Sequence, residues 1–184
     1  MQSSLSPAQD WRRPFWLALL IVSSVAFTLW FECAAPFAAF AAATALTLPR
    51  RDAVLLMLGV WLANQFTGFM FLNYPLDANT FAWGAALGAT ALISLLAARA
   101  VTTRFSNSSP VLSITLAFMV AFAAYEASCY AFSMVLGGVE NYTLAIQSLI
   151  FALNVGALIG LFTLNYIGSS LQLMPPYNTR MLRA

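Results

Sequence analysis

The sequence predicts an all-α membrane protein, a bundle of about six transmembrane helices. Of its 184 residues, 61% are hydrophobic and only 8% are charged, whereas a soluble domain carries about 25% charged residues. The eight basic residues are all arginines, and they occur in four places between long apolar segments. We interpret residues 1–184 as a single transmembrane domain whose main solvent is the lipid bilayer.

Each predicted span is an apolar segment compatible with the roughly 20 residues that a membrane-crossing helix needs. The spans are residues 14–31, 34–48, 53–72, 80–98, 111–136 and 142–166. The first span follows Arg12 and Arg13. The second is short for a full crossing, so we expect it to be tilted, to borrow residues at its start, or to re-enter the membrane.

The spans are separated by segments rich in turn-forming or charged residues. The second span ends at Pro49 and the arginine pair Arg50-Arg51. The third ends at residues 73–79, which are rich in asparagine and contain a proline. A polar stretch, residues 99–110, follows the fourth span, and a Gly-Gly pair at residues 137–138 ends the fifth. The sixth leads into a short polar tail.

The arginines predict the orientation. With six spans, all four arginine pairs lie on one side: Arg12/Arg13, Arg50/Arg51, Arg99/Arg104 and Arg180/Arg183. The other connections carry acidic groups only. The positive-inside rule places the arginines in the cytoplasm. We therefore expect both termini to be cytoplasmic, in a multi-pass protein of the cell inner membrane.

The composition excludes several classes of site. The chain has no histidine and two cysteines, which excludes His-ligated haem, His-dependent nucleophilic catalysis and Cys-rich metal sites. A net charge of +2 offers no nucleic-acid patch, and no sequence motif indicates an enzyme. The one acid–thiol candidate is Glu126 with Cys129, three residues apart on one helix face.

Small residues form faces on three helices, where helix backbones can approach closely in lipid. The second span is nearly an alanine ladder, while Gly84 and Gly88 lie on the fourth and Gly156 and Gly160 on the sixth. Two interpretations are open: packing inside the bundle, or docking of another membrane protein.

Glu126 is the outstanding polar residue because it lies in the middle of the fifth span, where a carboxylate is costly. Its expected partners are Asn64 and Gln65 on the third span and Asn154 on the sixth; Gln147 lies nearer the outer end. The group is either a structural network joining helices 3, 5 and 6, or the floor of a ligand cavity or a proton site.

A second polar cluster is predicted at the outer end of the first span. Glu32 and Cys33 lie there beside aromatic residues, and Tyr74 and the other outer connections would gather around them as a lid over a cavity open to the outside. Cys33 is either a small apolar filler or a thiolate ligand of a soft metal.

The six-helix layout, the alanine-rich faces, the short outer loops and the stretch from Phe31 to Ala39 followed by Leu48 to Ala53 resemble one known family. It comprises the substrate-binding membrane subunits of energy-coupling-factor vitamin transporters, including BtuM-like solitary cobalamin transporters. The resemblance implies a ligand held near the extracytoplasmic face and a docked energy-coupling membrane subunit. It also implies Cys33 as a ligand to the cobalt of a bound corrinoid, with cobalamin as transported ligand and no intrinsic cofactor.

The sequence therefore predicts an uptake protein for a vitamin or corrinoid. The predicted ligand-binding residues are Glu32, Cys33, Asn64, Gln65, Tyr74, Glu126, Gln147 and Asn154. The alternative is a structural or assembly subunit of a larger membrane complex, favoured by the small-residue faces and the lack of a catalytic motif.

Overall fold

A computed structural model describes residues 11–30, 35–105 and 109–173. Over these ranges the chain is helical and contains no strand, which confirms the predicted all-α fold. The six helices are α1 (Arg12–Trp30), α2 (Phe37–Thr47), α3 (Arg50–Met70), α4 (Ala78–Arg104), α5 (Pro110–Leu136) and α6 (Leu144–Ser170). A short 3₁₀ turn, Val139–Asn141, lies between α5 and α6.

Five of the described helices, α1 and α3 to α6, are long and apolar enough to cross a membrane. The protein is therefore a multi-pass membrane protein. The helices α4 and α6 extend past their predicted ends, to Arg104 and Ser170. The helix α2 has 11 residues, which gives it a length of about 16 Å at 1.5 Å per residue.

Side chains cap three of the long helices, because the first backbone N–H groups of a helix have no partner within it. Asp77 Oδ1 accepts from Thr80 N at 2.7 Å at the start of α4. Ser109 caps α5, which has Pro110 in its first turn, and Thr143 caps α6. These caps explain why the polar connections end where they do.

Contacts between α1 and α3 show that these two helices run parallel. The guanidinium of Arg13 pairs with the buried carboxylate of Asp52, so the two helices begin side by side. Further along, Asn64 Nδ2 donates to Thr28 Oγ1 at 3.3 Å. Parallel neighbours require a return crossing between them, and α2 is the helical part of that return. The chain of the short second span therefore returns from the end of α1 to the start of α3.

The described arginines gather at one end of the bundle, here called the arginine end. It consists of the starts of α1, α3 and α5 and the ends of α2, α4 and α6. Arg99 Nη1 donates to Leu48 O at 3.1 Å, which joins the end of α4 to the end of α2. Trp16 of α1 packs against Gly168 near the end of α6. The opposite end, here called the outer end, carries Asp77 and Glu140; Arg180 and Arg183 lie outside the described residues.

The helix α2 forms the centre of the bundle and contacts α3, α4, α5 and α6. Nine of its 11 residues are buried, and the side chains of Ala38, Ala41 and Ala42 are fully enclosed. The described alanines of α2 thus pack inside the bundle and are not exposed on its surface. Methyl side chains allow four longer helices to approach one short helix closely.

Candidate functional site

A cavity of about 280 Å³ lies at the outer end between α4, α5 and α6. The connection from α5 to α6 forms part of its wall, and Trp83 and Leu87 contribute the α4 wall. Most of its polar side chains come from α5 and the segment after it. The polar lining residues are Tyr125, Glu126, Cys129, Asn141, Tyr142 and Gln147.

Glu126 lies in the wall of this cavity and pairs with Gln147 of α6. With the amide of Gln147 oriented to face the carboxylate, its nitrogen donates to Glu126 Oε1 at 3.0 Å and also to Oε2. Glu126 is ten residues from Leu136, the last residue of α5, so its Cα lies about 15 Å from the outer end of that helix. A half-buried carboxylate at this depth is satisfied by one amide and retains acceptor positions for a further partner.

Asn64, Gln65 and Asn154 were predicted as hydrogen-bond partners of Glu126, and this prediction is wrong. Gln65 Nε2 donates to Asn64 Oδ1 at 3.4 Å, and Asn64 in turn donates to Thr28. These two amides tie α3 to α1. Their side chains lie away from the α5–α6 interface because the faces of α3 that carry them pack on α1 and α4.

Asn154 has a different structural role, at the start of α2. Its Oδ1 accepts from Ala39 N at 3.1 Å, and its Nδ2 donates to Ile150 O at 3.0 Å. Pro36 precedes α2 and supplies no side-chain cap. Asn154 therefore satisfies a first-turn N–H group of α2 that would otherwise be buried without a partner.

Tyr74 lies in the α3–α4 connection and not in the cavity lining. Its ring packs against Gly68 and lies edge-on to Phe69, with ring centroids 6.1 Å apart. Glu32 and Cys33, the other predicted residues of the outer cluster, lie outside the described residues. Of the other outer connections, the segment between α5 and α6 lines the cavity, with Asn141 and Tyr142; the predicted lid over Glu32 and Cys33 stays a prediction.

The thiol of Cys129 lies one helical turn above Glu126 on the same face of α5, as the spacing predicted. Cys129 is a buried free thiol next to the hydroxyl-bearing side chains of Thr90, Tyr125 and Tyr142. Tyr142 packs edge-on against Tyr130 with centroids 5.1 Å apart. Burial raises the pKa of the Tyr142 hydroxyl, so this group is a neutral hydrogen-bond donor at the cavity wall.

Aromatic side chains pack between α5 and α6 on the side of Glu126 that faces the arginine end. Phe122 lies one turn below Glu126 on α5, and Phe151 lies one turn below Gln147 on α6. Their ring centroids are 5.1 Å apart, and Phe118 packs against both. The Glu126–Gln147 pair therefore lies next to an apolar contact between α5 and α6.

Two glycines shape the entrance. Gly137 and Gly138 line the cavity and have φ values of 87° and 99°, a region that residues with a Cβ rarely adopt. They turn the chain sharply after α5, which brings Asn141 and Tyr142 over the cavity. From the sequence, these glycines were predicted only as a helix break, and Trp83 was not predicted as a residue of the cavity wall. A local sequence pattern does not reveal which helices are neighbours.

A second, larger groove of about 420 Å³ lies between α5 and α6 nearer the arginine end. Its lining is mostly apolar, with Phe162 and Tyr166 among the side chains. It offers no charged group and no cluster of polar groups. The outer cavity is therefore the candidate site, because it combines apolar walls with convergent polar groups.

Comparison with known proteins found no matching protein-family model, no matching curated protein and no matching solved structure. Within the described ranges, no group of three or more acidic or thiol side chains is placed to hold a metal ion. The geometry of the cavity is therefore the observation that bears on function.

Proposed function

We propose that this protein binds a small organic molecule in the outer cavity and takes it up across the cell inner membrane. The observation that carries the proposal is the cavity of about 280 Å³, in which the Glu126–Gln147 pair meets aromatic walls. Ligand sites are typically apolar clefts with a few convergent polar groups. The arginines at the opposite end support an extracytoplasmic position for the cavity, by the positive-inside rule.

The volume favours a ligand of vitamin size or smaller. Ligand pockets usually enclose about 300–1,000 Å³, so 280 Å³ is at the lower limit. A corrinoid is several times larger and would extend far beyond this cavity. Cobalamin uptake, with Cys33 as cobalt ligand, stays a separate prediction because Cys33 lies outside the described residues.

An energy-coupling membrane subunit stays part of the proposal, but it would need a surface other than the alanine ladder of α2. Outward-facing small residues on α6 offer one: Ala152 and Gly156 are exposed, and a Cβ added at Gly156 would meet nothing within 4 Å. The same observation favours the alternative, in which the chain is a structural or assembly subunit that packs α6 against another membrane protein.

The test is retention of ligand by the purified protein after incubation with a panel of water-soluble vitamins, including cobalamin. We expect the wild type to retain one compound by mass spectrometry, and Cys129→Phe, which puts a ring into the cavity, to lose it. Met134→Phe is the matched control, because Met134 is 62% exposed on the same helix. Loss of ligand in both variants, or retention in both, would contradict binding in this cavity.

Cobalamin binding is measured separately in the same panel, by absorbance. A retained corrinoid absorbance spectrum that changes in Cys33→Ser would support cobalt–thiolate ligation. If no compound is retained by the wild type, the uptake proposal fails, and co-purification of a stable protein partner would then support the assembly subunit.

A further inference from the structure

We infer that the outer cavity takes a small organic cation, such as a molecule carrying a protonated amine or a quaternary ammonium group. This inference rests on the uptake function proposed above and specifies its ligand. It depends on the charge, the aromatic lining and the surroundings of the cavity.

The charge of the lining comes from one residue. Among the described residues that line the cavity, Glu126 is the only acidic one, and none is basic. The chain contains no lysine or histidine, and the described arginines lie at or near the arginine end. A ligand at Glu126 therefore meets a carboxylate without a competing protein cation, which favours a positively charged group and opposes an anion.

The rings around Glu126 are suited to the same kind of ligand. Trp83, Tyr125 and Tyr142 come from α4, α5 and the α5–α6 connection, and all three line the cavity. The face of an aromatic ring attracts a cation within about 6 Å of its centroid, and cages of such rings recognise quaternary ammonium groups. Carboxylate and rings together provide both a countercharge and an apolar enclosure.

The outer end of the bundle adds long-range attraction. Its charged side chains outside the cavity are Asp77 and Glu140 within the described ranges, and both are acidic. The amide N–H of Thr80 lowers the pKa of Asp77, so this carboxylate is charged at neutral pH. A field of one sign around a cleft raises the local concentration of ligands of opposite charge, and salt screens this effect.

The experiment uses three probes of nearly equal size: benzylamine as cation, benzyl alcohol as neutral molecule and benzoate as anion. Each has eight or nine non-hydrogen atoms, so affinities of about millimolar are expected. Titration calorimetry of the full chain in detergent measures each affinity at physiological salt. We expect benzylamine to bind about tenfold more tightly than benzyl alcohol and benzoate to bind most weakly.

Three variants test the assignment to Glu126. Glu126→Gln should abolish the preference for benzylamine, and Ile146→Glu, which adds an exposed carboxylate to the lining outside the Glu126–Gln147 pair, should increase it. Glu140→Gln is the control: Glu140 is an exposed acid outside the lining, so its loss should change the affinity less than about twofold at this salt concentration. If Glu126→Gln does not fold, the increased preference for benzylamine in Ile146→Glu still tests the inference.

Equal binding of the three probes, preference for benzoate, or no binding of benzylamine would overturn the cation inference. The proposed uptake function fails separately, when no vitamin is retained by the wild type. The wild type could instead retain a neutral or anionic vitamin that Cys129→Phe does not retain. That result would support the proposed uptake function and contradict only the preference for a cation.

Discussion

Replacing Ala42 with leucine is expected to lower the free energy of unfolding by about 3 kcal/mol, the upper range for overpacking a filled core. Ala42 lies in the central helix α2, and its side chain is fully enclosed. Three added carbon atoms would have to displace α4, α5 or α6, since all three contact α2. Thermal or denaturant unfolding in detergent micelles measures the loss.

The matched control is Ala152→Leu on α6, where the alanine faces outward. It makes the same chemical change and should alter stability by less than about 0.5 kcal/mol. An equal loss in both variants would mean that α2 does not form the centre of the bundle. A selective loss at Ala42 would explain why the second span is so rich in alanine.

Replacing Gly168 with alanine is expected to lower the free energy of unfolding by about 2 kcal/mol, again through overpacking. A Cβ at this position would collide with the ring of Trp16, and that ring is fully buried. A rigid indole in a filled site has no free rotamer, so α1 and α6 would have to move apart. Unfolding in detergent is again the measurement.

Gly156→Ala is the control on the same helix. A Cβ there would meet nothing within 4 Å, and alanine favours the helix over glycine by up to about 1 kcal/mol. The two substitutions should therefore change stability in opposite directions. Destabilisation by Gly156→Ala to the same extent as by Gly168→Ala would contradict the contact between Trp16 and α6.

The helix layout was predictable from the sequence because hydrocarbon tolerates few charges. A long apolar segment is most stable as a helix that spans the hydrocarbon core, and arginine is excluded from the middle of such a helix. The pairs at Arg12/Arg13 and Arg50/Arg51 were assigned to one side for this reason, and the contact of Arg13 with Asp52 confirms that they share one end. The helix boundaries were less predictable: α4 and α6 continue into polar residues, which helices outside the hydrocarbon core can accommodate.

The partners of Glu126 were not predictable, because composition does not determine which helices are neighbours or how each is rotated. Asn64, Asn154 and Gln147 lie on helices that are all apolar on most of their faces, so periodicity gives little information about orientation. The structure assigns Gln147 to Glu126, and it assigns Asn154 to the start of α2. The cavity depended further on the turn at Gly137 and Gly138, whose conformation no spacing rule reveals.

The pairing of Glu126 and Cys129 on one helix face was predictable, since residues three apart on a helix are neighbours. Both line the cavity. Trp83 was not predictable as a wall residue, because its contribution depends on the contact of α4 with α5. Local spacing thus identified part of one wall, whereas the opposite walls required the tertiary structure.

We propose that the cavity opens to the extracytoplasmic side, and thiol labelling in intact cells tests this orientation. The labelled position is a single cysteine, Gln147→Cys, in a chain whose Cys33 and Cys129 are replaced by alanine. A membrane-impermeant thiol reagent is applied to intact cells, with Arg51→Cys as control at the arginine end. We expect Gln147→Cys to react in intact cells and Arg51→Cys to react only after permeabilisation. Reaction of Gln147→Cys only from the cytoplasmic side, or from neither side, would contradict an opening of the cavity to the extracytoplasmic side.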